Sequence, residues 1–328
     1  MSALKVRPFH RDDRDQLTEL VNAHVAAVVP GVSVSVNTVV GQLTRQPDEF
    51  ITDPWVAERV TLVAEQRSFV VAAAHLLRYR GDDEVGPDFR DAGVVDWFVC
   101  HPTASFWPDA DEAADLLMGA CLAQLSRWGV RVREADGALP APGVYGLPRV
   151  WPHVRAAFER AGFRHTGDTE AVLIAAVSDL PTPAPPLPGL TVRRSLGECG
   201  TRLTAHLAGP EGPDGSDGRD LGFIEVDTAL GRAERQARNG ALADVGNFHL
   251  VPDHGVDGLA AWLLGEAAAW LRLAGADRLL AYESAGDAQA IAGLTALGFR
   301  ELVRTDRGWT HLRALGCARA GETPQPMD

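Results

Sequence analysis

Between Ala243 and Trp270 the chain reads ADVGNFHLVPDHGVDGLAAWLLGEAAAW, and this stretch restricts the possible folds more than any other. Asp244 to Val251, with its β-branched and aromatic residues, predicts a short strand. Pro252, Asp253 and His254 break that strand. A glycine-bearing turn, Gly255 to Gly258, then feeds a helix. Its apolar residues Leu259, Trp262, Leu263, Ala267, Trp270 and Leu271 fall on one face of a 3.6-residue period. A strand, a tight turn and a helix start aim several backbone N–H groups at one point, where the helix dipole favours an anion such as a phosphate.

In residue order and spacing this stretch resembles the acyl-CoA-binding motif of the GNAT N-acetyltransferases. In that family a strand ending in an apolar residue and Pro leads into Gln/Arg-x-x-Gly-x-Gly/Ala. Here Gly255-Val256-Asp257-Gly258-Leu259-Ala260 takes that place: Gly258 and Ala260 match, and Gly255 stands where the family has Arg or Gln. Downstream, Asp287 to Phe299 (DAQAIAGLTALGF) is similar to the second signature of the family, a short helix closed by Leu-Gly-Phe. An ordinary strand–turn–helix without a ligand shares the local pattern of the first motif.

The resemblance implies an α/β fold, with mixed central sheets flanked by helices, and acetyl-CoA as cosubstrate. It implies a cosubstrate site made of Leu250, Val251, Gly255, Val256, Asp257, Gly258, Leu259, Ala260 and Asp287. Backbone N–H groups around Leu250 and Val251 would hold the pantetheine arm, and the helix start would hold the pyrophosphate. Some family members carry a Glu base six positions before the last apolar residue of the strand. The same count from Leu250 lands on Asp244, whose other reading is a solvated strand-start residue. His249 shares a strand face with Asn247 and is a second candidate base, against a structural role. The Tyr that often protonates the leaving thiolate is replaced by Leu294, and by Phe158 in the first half. Tyr282 is the substitute candidate, against plain aromatic packing. The resemblance implies no metal, and His249, Asp253 and His254 lack the clustered spacing of a metal site.

At 328 residues the chain has room for two domains. A Pro-rich stretch, residues 179–189, reads as a stiff linker. It divides an N-terminal unit (1–178) from a C-terminal unit (190–315), followed by a tail (316–328). Val192-Arg193 echoes Val6-Arg7, and Gly298-Phe299-Arg300 echoes Gly162-Phe163-Arg164, as an internal repeat requires. The expected architecture is therefore two tandem GNAT units. In the first, the run Val172 to Val177 is expected to close its own sheet. In the second, the two early helices of the first copy are missing. The first unit keeps no phosphate glycine, and Asp109, Asp111 and Glu112 crowd the start of its helix, where acids repel a phosphate. It reads as a degenerate copy, with the Asp136 to Tyr145 loop as a candidate wall of the substrate cleft.

The net charge of −13 disfavours nucleic acid and anionic membranes and suits a cationic acceptor. Four scattered cysteines, no signal segment and no membrane-length apolar run fit a reducing cytoplasm. The functional expectation is acetyl transfer from acetyl-CoA to a small-molecule amine. The alternative is a catalytically silent acyl-CoA-binding or scaffold protein.

Overall fold

The computed structural model describes residues 4–44, 53–102, 109–137, 139, 145–209, 218–228, 242–251 and 256–311. In chain order the first half contains β1 (Lys5–Pro8), α1 (Arg14–Val28), α2 (Val36–Leu43), β2 (Val56–Gln66), β3 (Phe69–Tyr79) and β4 (Ala92–Cys100). It continues with α3 (Ala110–Arg127), β5 (Val132–Ala135), β6 (Leu147–Pro148), α4 (Pro152–Arg160), β7 (Phe163–His165) and β8 (Thr169–Ala176). The second half contains β9 (Leu190–Gly197), β10 (Gly200–Leu207), β11 (Arg219–Asp227), β12 (Leu242–Leu250) and α5 (Leu259–Leu273). It ends with β13 (Arg278–Ser284), α6 (Ala288–Ala296), β14 (Arg300–Asp306) and β15 (Trp309–His311).

The expected mixed sheets flanked by helices are present, and the halves repeat one another. In each, antiparallel strands lead to a single parallel pair, β4 with β5 and β12 with β13. The repeated Gly-Phe marks a helix end in both: Gly162 after α4 and Gly298 after α6 have φ of 91° and 101°, a region that glycine enters without strain. The second half also lacks the early helices, since only Glu198 and Cys199 separate β9 from β10.

The strands are not shared out as the halves of the sequence are. One sheet runs β1-β2-β3-β4-β5-β15-β7 and the other β6-β14-β8-β13-β12-β11-β10-β9. The first half therefore gives β6 and β8 to the second sheet, and the second half gives β15 to the first. The run expected to close the first unit, β8, lies instead between β13 and β14 of the second sheet, and β15 of the second half pairs with β5 and β7. The reason lies in the composition of β8, which is apolar on both faces. Ala171, Leu173 and Ala175 pack into the second core with α5, and Val172 and Ile174 pack into the first core. Such a strand is stable only at the centre of a sheet covered on both sides.

The two outgoing hairpins cross at Gly167 and Gly308. The N–H groups of Thr166 and Gly167 both donate to the Gly308 carbonyl, at 2.9 and 3.0 Å, and the Arg307 N–H donates to Asp168 at 2.9 Å. A Cβ on Gly167 would collide with the Arg307 carbonyl. Beside the crossing, Asp306 of β14 is only 1% exposed. Its carboxylate is held by Arg149 and Arg155 of the first half and by the Thr169 hydroxyl. Leu242, Leu280 and Val303 of the second sheet also lie in the first half's core. The first half thus covers the sheet face that the missing helices would otherwise protect.

This exchange yields a direct test by expressing the chain as two pieces cut between Thr182 and Pro188. Each piece alone should be insoluble or aggregated, because each lacks strands its sheet requires. Co-expressed, they should assemble into a soluble one-to-one complex on a sizing column. A monomeric, cooperatively melting second piece would contradict the exchange.

Candidate active site

Each parallel pair opens into a gap. β12 is in register with β13 only over Leu242, Ala243 and Asp244, and β4 with β5 only from Ala92 to Val95. Beyond those residues the strands diverge, and among the described residues no strand pairs with β12 or β4 on that side. A β-bulge sits just past each point of divergence, at Gly246 opposite Glu225 and Val226, and at Asp96 opposite His75 and Leu76. The bulges align the two halves residue by residue. Asp244 corresponds to Val94, Asn247 to Trp97, Leu250 to Cys100 and Glu225 to His75.

Ladder alternation settles which groups face each gap. The Val251 N–H donates to the Leu221 carbonyl at 3.0 Å, so Val251, His249 and Asn247 direct their polar main-chain groups towards β11. Phe248 and Leu250 direct theirs into the gap. Of the pair expected to hold a pantetheine arm, Leu250 therefore remains and the Val251 N–H is already engaged. At the far end of the gap, Val256 and Asp257 lead into Gly258, which has φ 82° and caps α5. A left-handed residue at that position costs roughly 1–2 kcal/mol for any side chain other than glycine. A Cβ there would meet nothing within 4 Å, so the turn opens to free space. Leu259 and Ala260 begin the helix, whose first turn carries no acid. Gly255, with Pro252, Asp253 and His254, lies outside the described residues. Asp287 is committed elsewhere: its Oδ1 accepts the Ala290 N–H at 2.8 Å and caps α6.

The base of the gap is polar. Asp244 is 8% exposed, which removes the reading of a solvated strand-start residue. Asp227 stands directly across from it on β11. The Tyr282 hydroxyl donates towards Asp244 Oδ2 at 3.5 Å, so the fold brings these two sequence candidates together. Burial, and then the nearby Asp244 charge, push the Tyr282 phenol well above its ordinary range, so it stays protonated. His249 is not part of this group. It is exposed, packs on Phe223 with ring centroids 5.7 Å apart, and lies five residues further along the strand.

Glu225 carries a role that the sequence reading missed. It is completely buried on the Asn247 side of the sheet. It accepts from Arg202 Nε at 2.6 Å, from Asn247 Nδ2 at 2.8 Å and from the Cys199 N–H at 3.1 Å. Burial opposes its charge, but the bonds from Asn247, Arg202 and Cys199 prevail and hold the carboxyl below its usual range. The only signal in the sequence was one acid inside the apolar run GFIEV, a charge that must find partners if the strand is central.

The first half fills its gap. Trp97, Phe98, Val99 and Cys100 are all buried, whereas Gly246, His249 and Leu250 of β12 are exposed. In place of Glu225 and Asn247 stand His75 and Trp97, stacked at 5.8 Å. Trp151, 2% exposed, packs edge-on against His24. The His24 Nδ1–H donates to the Leu20 carbonyl at 2.8 Å, and its Nε2 lies 3.1 Å from His153 Nε2. Asp111 and Glu112 occupy the first turn of α3.

Among solved structures, the fold is similar to a tandem GNAT protein from the clavulanic acid biosynthesis pathway. The TM-score is 0.59 at 16% identity, over 94% of this chain and 98% of that one. A GCN5-related N-acetyltransferase from Sphaerobacter thermophilus matches with a TM-score of 0.55 at 13% identity, over 94% of each chain. A glucosamine N-acetyltransferase region in a fungal multi-domain β-N-acetylglucosaminidase matches with a TM-score of 0.59 at 12% identity; the alignment takes in 94% of this chain but 38% of that longer one. No protein-family model and no curated protein sequence matches the chain. What is shared at these identities is the fold, and this chain has the tandem GNAT fold.

The filled gap carries a pH signature. Burial pushes His24 from 6.5 down to about 4, and burial also lowers His153 and His101. The unfolded chain therefore binds protons that the folded chain refuses. The stabilisation is complete above pH 6.5 and is lost as the pH falls towards 4, by about 3 kcal/mol for His24 alone at the acid limit. Melting temperature should fall across this window, and by less in His24→Gln. Parallel pH dependence in the two proteins would exclude His24 as the cause.

Proposed function

We propose that the second half binds acetyl-CoA and transfers its acetyl group to an amine, and that the first half supports the acceptor cleft without binding acetyl-CoA. The observation that carries this reading is the contrast between two aligned gaps. Among the described residues, no strand pairs with the main-chain groups that Phe248 and Leu250 direct into the β12–β13 gap, and the first turn of the helix that faces it carries no acid. Along the β4–β5 gap Trp97, Phe98, Val99 and Cys100 are buried, and the helix that faces it carries Asp111 and Glu112 in its first turn. Among the described residues, an exposed strand end together with a helix start that suits a pyrophosphate occurs at the β12–β13 gap and not at the β4–β5 gap.

The chemistry follows from the groups at its base. An acceptor ammonium gives a proton to the Asp244 carboxylate, directly or through one water, and its freed lone pair attacks the thioester carbonyl. The Phe248 N–H, directed into the gap, would stabilise the charge that develops on the carbonyl oxygen, and the Leu250 main chain would hold the pantetheine arm. As the new C–N bond replaces the C–S bond, the CoA thiolate leaves. The Tyr282 phenol, kept protonated by its surroundings, is the donor available to it, and the second proton that the nitrogen sheds as the amide forms restores the phenol. Glu225 holds Asn247 and the β9–β10 tip beside the bulge and so shapes this floor without touching the reacting atoms.

The silent-binder alternative has one observation in its favour. Leu294, where the family often has a Tyr acid, is 8% exposed and packed in the second core. Tyr282 answers it only if its hydroxyl serves the leaving group.

Calorimetry should find one acetyl-CoA site per chain. Gly258→Glu should abolish binding in a protein that melts normally, because it places strain and negative charge where phosphate must approach. Two equal sites, or undiminished affinity in the variant, would remove the assignment to the second half.

Asp244→Asn keeps the size and hydrogen-bonding capacity of the side chain and removes its ability to accept a proton. Turnover with an amine should fall by about 10²–10⁴-fold with acetyl-CoA affinity unchanged, and part of the rate should return at high pH where solvent deprotonates the amine. Superimposable rate–pH profiles for the two proteins would exclude Asp244 as the base.

A further inference from the structure

The first half places a side chain against the Tyr282 phenol. Tyr145 lies two residues ahead of β6, the short strand that the first half lays along β14 of the second sheet. Its ring packs on that of Tyr282, with centroids 5.9 Å apart and planes inclined by 60°. The Arg307 guanidinium, from the β14–β15 turn, lies 5.9 Å from the Tyr145 centroid and attracts the same ring.

The backbone beside Tyr145 is fixed by close packing. Gly146 has φ 79°, and a Cβ there would lie 2.7 Å from the Arg307 side chain and 3.2 Å from the Asp306 carbonyl. Gly137 has φ 71°, and a Cβ there would lie 2.9 Å from the Leu147 nitrogen. These two glycines let the chain at 137 press against the chain at 146 and 147, and that in turn against the end of β14. Leu139 and Leu147 are buried in the first core. Tyr145 is thus carried on a packed base. Tyr282 has need of such a support. Its hydroxyl is 3.5 Å from Asp244 Oδ2, a length at which a hydrogen bond directs a phenol only weakly. The setting of its ring then depends on packing, and Tyr282 packs against the first core. The titratable groups that act on the phenol are Asp244 of β12, Tyr145 itself and Glu170 of β8, but burial is the larger cause of its raised pKa.

We propose that Tyr145 is a positioning residue for the second half's site: its ring holds the Tyr282 phenol towards Asp244 and shields it from water. This rests on the reading of Tyr282 as the proton donor to the leaving thiolate. It makes the site a joint product of both halves, with the first half supplying a side chain to a reaction carried out on the second.

The chain has three tyrosines, so full-length protein carrying isotope-labelled tyrosine gives three phenol signals by NMR, assigned with Tyr79→Phe, Tyr145→Phe and Tyr282→Phe. In Tyr145→Ala the Tyr282 phenol should titrate at lower pH than in the parent protein, because water reaches it. Thiol release from acetyl-CoA with an amine should slow by about tenfold, part of the roughly 10²–10⁴-fold that a positioned proton donor is worth, with acetyl-CoA affinity unchanged. Tyr145→Phe, which keeps the ring, should rescue both. In a Tyr282→Phe background, Tyr145→Ala should slow turnover no further, as two coupled residues require. Tyr145 is 41% exposed, so its truncation is not a core deletion. If Tyr145→Ala nevertheless melts early, Tyr145→Leu should show the same shift to a smaller extent. An unmoved Tyr282 titration in these variants, or an equal loss of turnover with and without the Tyr282 hydroxyl, overturns the proposal. A Tyr145→Phe protein that behaves like Tyr145→Ala assigns the effect to the hydroxyl and overturns the role of the ring. A displaced Tyr282 titration in a protein that releases no thiol supports the placement of Tyr282 by Tyr145 and overturns acetyl transfer.

Discussion

The exchange of β8 for β15 is the constraint on which the rest of the structure depends. A strand buried on both faces cannot lie at an edge. Placing it between β13 and β14 buries Val172 and Ile174 against the first core and Leu173 against the second, and joins both halves into one cooperative body. The crossing this requires brings Gly167 onto Gly308 and draws Asp306 between Arg149 and Arg155.

The two halves began from one plan and diverged in polarity. Both keep the parallel pair, the bulge and the gap, because these are backbone features set by register. The side chains at matching positions then decide the outcome. Asn247 and Glu225 make a hydrogen-bonded floor that tolerates water, and Trp97 and His75 make a packed one that excludes it. The second half lost its early helices and left its gap open. The first half has them, and His24 of α1 is buried against Trp151 and His153. On the proposed reading, one copy binds the cosubstrate and the other supports it.

Much of this was legible in the chain. The strand, glycine turn and helix from Ala243 to Trp270, the repeated Gly-Phe, the missing early helices and the acids ahead of α3 are local patterns, and each acts through neighbours in sequence. Asp244 and Tyr282 were reached separately, one by counting along a strand and the other as a substitute for a missing hydroxyl. Their meeting at 3.5 Å was not legible, because β12 and β13 are joined only through α5. Glu225 was missed for a similar reason: its partners Arg202, Asn247 and Cys199 lie on three other segments.

The sequence by itself determined two repeats of one α/β unit, unequal in chemistry, with the phosphate-type turn in the second. Periodicity, positive-φ glycines and the charge at a helix start are fixed within a few residues, so they can be read without a fold. Only the tertiary structure decided which sheet receives β8, which main-chain groups face the gap and which half packs on Tyr282. Strand order is settled by competition between faces for burial across the whole molecule, and an apolar run such as β8 satisfies the local rules of either sheet equally well.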